Sequence, residues 1–85
     1  MIVVTHRKFD KKYVKIPKKL REKAKERIQL FSIDPFNPIL DNHSLQGRWL
    51  GHRSINVSGD FRAVFKQEGD TAIFVDIDTH SELYG

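Results

Sequence analysis

The chain has 85 residues, 39% hydrophobic and 31% charged, which fits one small folded domain spanning residues 1–85 rather than a disordered segment. It has no cysteine, which excludes a disulfide framework, a thiolate zinc site and a thiol nucleophile. No apolar run approaches the roughly 20 residues of a membrane helix, and Met1-Ile2-Val3-Val4-Thr5-His6-Arg7 is charged too soon for a signal peptide, so a cytoplasmic protein with no membrane partner is expected.

Ile2-Val3-Val4 reads as a first strand. Phe9, Tyr13 and Ile16, spaced four and three apart, give a short one-sided helix that Pro17 ends. Pro17 opens a second helix with Leu20, Ala24, Ile28 and Phe31 on one face. Pro35 and Pro38 start a loop that runs to about Trp49. Three strands follow: Arg53 to Ser58, Phe61 to Lys66 and Thr71 to Asp78, joined by turns at Gly59-Asp60 and Gln67 to Asp70. Phe61 and Phe65 alternate toward a core, and Ile73, Val75 and Ile77 are expected to share one face. The order β-α-α-β-β-β predicts an α+β fold: a twisted antiparallel sheet with a helical hairpin on one face. Two helices return the chain to its starting end, which would set the first strand antiparallel beside the second. The other sheet face is expected to have no partner in the chain and to carry the site.

The net charge of +4 is unevenly spread. Residues 1–27 hold eleven bases against three acids, a net of +8; the rest hold four against eight, a net of −4. Such a basic module suits an anionic partner, nucleic acid first, although a solvated helix face would read the same way. On the second helix, Lys19, Lys23 and Arg27 stack in one like-charged column, which costs a helix stability and suits phosphates or an acidic partner protein.

The polar residues of the second half are the candidates for chemistry. Neither HxH nor HExxH spacing is present, so no metal site is expected, and no GxSxG elbow is present for a serine nucleophile. Histidine, carboxylate, arginine and tyrosine together are enough for metal-free RNA cleavage, although spacing alone does not select it. Arg53 reads either as a structural partner of Asp41 or Asp60 or as a phosphate ligand. Trp49 reads as a packing anchor, and His6 and His52 as surface histidines.

Three motifs in order carry a resemblance: Asp41-Asn42-His43-Ser44-Leu45-Gln46-Gly47-Arg48-Trp49-Leu50-Gly51-His52-Arg53-Ser54-Ile55-Asn56, then Gly59-Asp60-Phe61-Arg62-Ala63-Val64-Phe65, then Thr79-His80-Ser81-Glu82-Leu83-Tyr84. Together they resemble the RelE/YafQ-type toxins of type II toxin–antitoxin systems. The resemblance implies a barnase-like sheet and an endoribonuclease that cleaves mRNA in the ribosomal A site, uses no cofactor and is held inactive by a cognate antitoxin. It implies proton transfer by His80, a base or orienting role for Asp60, Arg62 on the scissile phosphate, His43 at the rim, and Tyr84 stacking on a base. Lys19, Lys23, Arg27, Arg53 and Asn56 would contact RNA. Asn56 stands where several YafQ-type chains carry a second catalytic histidine, and a carboxamide can orient a group but not exchange protons near neutral pH. The alternative is a weakly active or non-catalytic member, like the gyrase-inhibiting ParE branch, which generally lacks the C-terminal histidine and tyrosine.

Overall fold

The computed structural model describes residues 1–84. Strand β1 (Ile2–Thr5) leads to helices α1 (Arg7–Tyr13) and α2 (Lys18–Ile33). After a 3₁₀ turn at Pro38–Leu40 come β2 (His43–Ser44), a second 3₁₀ turn at Gly47–Trp49, then β3 (Arg53–Ser58), β4 (Phe61–Glu68), β5 (Thr71–Thr79) and α3 (His80–Tyr84). The five strands form one sheet in the order β1-β5-β4-β3-β2. Phe9 of α1 and Ala24 and Phe31 of α2 bury against Ile55, Ala63, Phe65, Phe74 and Ile77. The rings of Phe31, Phe65 and Phe74 meet at centroid distances of 4.7, 5.2 and 5.5 Å, tilted or edge-on, the arrangement that aromatic quadrupoles favour.

The first strand departs from expectation. β1 pairs with β5, and the pairing is parallel. The cause is the unequal length of the two helices. A seven-residue helix spans only about 10 Å, and α1 continues past the end of β1 alongside β5. His6 N donates to the Phe74 carbonyl at 2.8 Å, Lys8 reaches Asp76 and Lys12 reaches Asp78, so α1 advances in step with the strand. Only α2, with 16 residues, recrosses the sheet. One full crossing brings β3 back in the direction of β1, not against it.

A bulge changes which faces β5 presents. Val64 pairs with Asp76 but Phe65 pairs with Phe74, leaving Val75 as the extra residue. Ile73, Val75 and Ile77 therefore do not share a face: Ile77 joins the helix-side core, while Val75 packs on the opposite side. The bulge also turns Asp76 and Asp78 away from the face that Phe74 occupies. That second face is not bare. Leu45, Val64 and Leu83 form a small buried cluster on it, with Trp49, Val75 and Tyr84 packed around them. Trp49 Nε1 and Arg48 Nη2 donate to the Leu83 carbonyl at 2.9 and 3.0 Å, which ties α3 down, so Trp49 is a packing anchor as expected.

Candidate active site

Residues paired across antiparallel strands point to the same side of a sheet. Asn56 of β3, Arg62 of β4 and Asp78 of β5 pair in one row, on the face opposite α2. Arg62 is the unusual member, because its side chain is only 19% exposed and its Nε and Nη1 atoms are buried without a hydrogen-bond partner among the described residues. Its nearest anion, Asp41 Oδ2, is 3.9 Å away, beyond hydrogen-bonding distance. Asn56 Oδ1 is also buried and unpartnered among the described residues, as is Ser54 Oγ in the next row. Unsatisfied donors and acceptors this close together are costly unless something binds them.

His80 stands beside this row but is not extended. Asp60 and Thr79 explain why. Gly59 adopts φ +53 in the β3–β4 turn, and the Asp60 carbonyl that follows accepts from His80 N at 2.9 Å. Thr79 Oγ1 accepts from Glu82 N at 3.3 Å, the arrangement of a Thr-x-x-Glu helix start, so the chain leaves β5 and turns into α3. His80 and Tyr84, one turn apart, meet edge to face at 4.7 Å. The Tyr84 hydroxyl is buried without a partner among the described residues. His80 therefore shares no strand face with Asp76 and Asp78: the strand ends at Thr79, and both carboxylates are bonded to lysines.

A cleft of about 290 Å³ runs between β2 and α3, lined by His43, Ser44, Leu45, Gln46, His80 and Tyr84. It brings three of the sequence candidates together. His43 Nδ1 lies 2.8 Å from the Asp41 carbonyl. A carbonyl only accepts, so Nδ1 holds a proton, and in the neutral ring Nε2 is the nitrogen with the lone pair. Asp41 thereby connects His43 to Arg62. Its left-handed backbone (φ 46) follows the Pro38–Leu40 turn and sets its carbonyl at His43 and its exposed carboxylate 3.9 Å from Arg62. Asp60 is exposed, and its carboxylate has no bonding partner among the described residues.

Two basic residues at this face have no counterpart among the sequence candidates. Lys12 Nζ lies 2.7 Å from Asp76 Oδ1 and 3.0 Å from Asp78 Oδ2, and Lys8 Nζ lies 3.4 Å from Asp76 Oδ2. Burial pushes the Lys12 ammonium down, but its bonds to Asp76 and Asp78 outweigh that and hold it above the usual lysine value. Lys8 and Lys12 are four apart on a helix and Asp76 and Asp78 two apart on a strand, so each pair shares a face. Only the β1–β5 pairing brings the two faces together, which is why the spacing alone does not reveal the cluster.

The remaining RNA-contact candidates lie elsewhere. Lys19, Lys23 and Arg27 are on α2, in the layer behind the sheet. Arg53 pairs with Phe65, so it faces the helix side. Its Nε donates to Asn42 Oδ1 at 2.8 Å and its guanidinium lies over the Phe36 ring, so its structural partner is Asn42, not Asp41 or Asp60. His6 is not an idle surface residue: its Nδ1 accepts from Lys8 N and caps α1.

Three comparisons bear on this arrangement. The profile of the family described as "Bacterial toxin of type II toxin-antitoxin system, YafQ" matches residues 1–85. Among solved structures, YafQ from E. coli superposes with a TM-score of 0.78 at 25% identity, covering 98% of this chain and 97% of that one. YafQ in the E. coli DinJ–YafQ toxin–antitoxin complex gives 0.76 at 26% identity, covering 98% and 96%. The RelB–RelE antitoxin–toxin complex of Methanococcus jannaschii shares the fold, with a TM-score of 0.75 at 22% identity and coverage of 95% and 94%. Comparison with curated proteins finds no match. With the RelE-like fold and a family match over its whole length, this chain belongs to the YafQ family, the bacterial toxins of type II toxin–antitoxin systems.

Proposed function

We propose that this toxin is an endoribonuclease that cuts mRNA held in the ribosomal A site and is neutralised by a cognate antitoxin. The observation that carries the reading is the row formed by Asn56 and Arg62. Arg62 offers unpaired buried N–H donors and Asn56 an unpaired buried acceptor, one strand apart. A phosphate beside a ribose hydroxyl supplies the complementary acceptors and donor.

Cleavage proceeds by attack of the ribose 2′-oxygen on the adjacent phosphorus. The O2′–P bond forms, the P–O5′ bond breaks, and one proton leaves the 2′-hydroxyl while another reaches the departing 5′-oxygen. Arg62 meets the charge that develops on the phosphorane oxygens, in a site where its field is poorly screened by water. His80, at the mouth of the cleft, transfers the proton to or from the reacting oxygens. His43, with Nε2 free to accept, and Asp60, fixed beside His80 through its carbonyl, are the groups placed to serve as base or orienter. Tyr84 presents its ring for a base to stack on.

A cognate antitoxin follows from the complex formed by E. coli YafQ with DinJ. An apolar groove of about 230 Å³ between α1 and α2, lined by Phe9, Tyr13, Lys25 and Ile28, is suited to a segment that folds on binding.

The test is primer extension on translated mRNA after induction of this chain. New discrete 5′ ends are expected with the wild-type toxin and not with His80→Ala. Unchanged mRNA under wild-type induction, with growth still arrested, would overturn the endonuclease reading.

A further inference from the structure

Arg62 and Asp78 are direct cross-strand partners on one face, yet they form no ion pair. An arginine opposite an aspartate in an antiparallel pair is ordinarily a favourable couple. Here the carboxylate is already engaged. Asp78 Oδ2 accepts from Lys12 Nζ at 3.0 Å, and Asp78 Oδ1 accepts from Thr79 N at 2.8 Å. The same ammonium holds Asp76, the second carboxylate of this face, which is 2% exposed and lies one row away. Lys12, with Lys8 beside it on Asp76, thus offsets the charge of the two acids that the β5 bulge turns toward Arg62.

We infer that Lys12 is a positioning residue for the toxin's phosphate site: by holding Asp78 it keeps the Arg62 guanidinium free of a hydrogen-bonded carboxylate and available to a phosphodiester. This inference rests on the phosphate-binding role proposed for Arg62. Lys12 itself touches no substrate. Its side chain is about one-third exposed and sits at the sheet edge, tied to the two aspartates and not directed at the cleft. Without its charge, Asp78 loses its bonded cation and is free to pair with Arg62, its cross-strand partner, so that the phosphate must then compete with a carboxylate. Negative charge facing the incoming phosphate adds to the loss.

The prediction separates this role from simple support of the fold. Lys12→Met should weaken binding of a phosphate probe, and removing the competing charge as well, in Lys12→Met/Asp78→Asn, should restore it. Loss of one charge-assisted hydrogen bond corresponds to roughly a tenfold change or more in affinity. The probe is adenosine 3′-monophosphate, titrated against the isotope-labelled toxin while the Arg62 Nε–H resonance is followed by NMR. The expected result is a shift of that resonance in the wild type, a dissociation constant about tenfold higher in Lys12→Met, and recovery in the double variant. Should Lys12→Met not fold, Lys12→Gln, which keeps a donor for Asp76 but no charge, carries the same comparison. If the wild-type resonance ignores the nucleotide, the phosphate site itself is wrong. If the wild type responds and Lys12→Met binds equally well, or if the double variant stays as weak as the single, the positioning role is overturned while the phosphate site stands.

Discussion

Asn56 sits in the row that meets the substrate in this account, and it is the residue where this chain departs from the YafQ pattern read in the sequence. A carboxamide in a half-buried position, with Oδ1 unpaired, accepts a hydrogen bond from a ribose hydroxyl but moves no proton. The acid–base work then falls to His80, His43 and Asp60. Restoring a histidine at this position tests the division. Asn56→His should raise the cleavage rate, because one positioned acid–base group is worth on the order of 10²–10⁴-fold, and should move the pH optimum toward neutrality. The readout is single-turnover cleavage across pH. A variant with wild-type rate and profile would place Asn56 outside the proton path. A wild-type protein with no cleavage and an active Asn56→His variant would instead mark this chain as an inactive member. Near this residue the sequence was informative about identity and silent about state. The family resemblance named His43, Asp60, Arg62, His80 and Tyr84, but nothing in it shows that the Arg62 guanidinium lacks a hydrogen-bonded carboxylate or that His43 Nδ1 meets the Asp41 carbonyl, since the first depends on what holds Asp78 and the second on a loop closing in.

At the scale of elements, α1 is the piece whose docking matters most to the site. Phe9 anchors it on Phe74, and Lys12 ties its outer face to Asp76 and Asp78. Because these carboxylates raise the Lys12 value above that of an unfolded lysine, the tie stabilises the native state fully at pH below about 10.4. It is lost as pH climbs through the raised folded-state value. Thermal unfolding of wild type and Lys12→Met from pH 8 to 12 should show a constant gap in Tm that closes at the alkaline end. A gap that persists undiminished to pH 12 would contradict the assignment. Element by element, legibility followed the range of the determining forces. The β3-β4-β5 meander was visible because alternation and tight turns are local. The partner of β1 was not, because it depends on which helix is long enough to recross the sheet. The β5 bulge was not, because one extra residue inverts every face assignment beyond it without altering composition. β2 is two residues long and α3 only five, too short to show a period, although Thr79-x-x-Glu82 signals where α3 begins.

Over the whole molecule, the basic column of α2 and the proposed chemistry occupy different layers. The basic N-terminal third supplies the helices, with Lys19, Lys23 and Arg27 on α2 behind the sheet, while the proposed reacting groups lie on the opposite face. The molecule measures 31 × 28 × 26 Å, so both layers can engage a large ribonucleoprotein partner at once. Each phosphate neutralised by a lysine or arginine contributes close to one unit to the salt dependence of binding. Lys19→Glu/Lys23→Glu should therefore weaken ribosome binding and flatten its dependence on salt, with little change in cleavage rate at saturation. Ribosome binding with an unaltered salt slope would leave the α2 column as a solvated face.

The most direct measurement of the central claim uses programmed ribosomes carrying either an all-ribose mRNA or the same message with a single 2′-deoxy nucleotide on the 5′ side of the scissile bond. The account predicts cleavage of the all-ribose message, with a 2′,3′-cyclic phosphate on one fragment and a 5′-hydroxyl on the other, and no cleavage at that bond in the deoxy message. Cleavage of the deoxy message at the same bond, or a 5′-phosphate on the product, would contradict it.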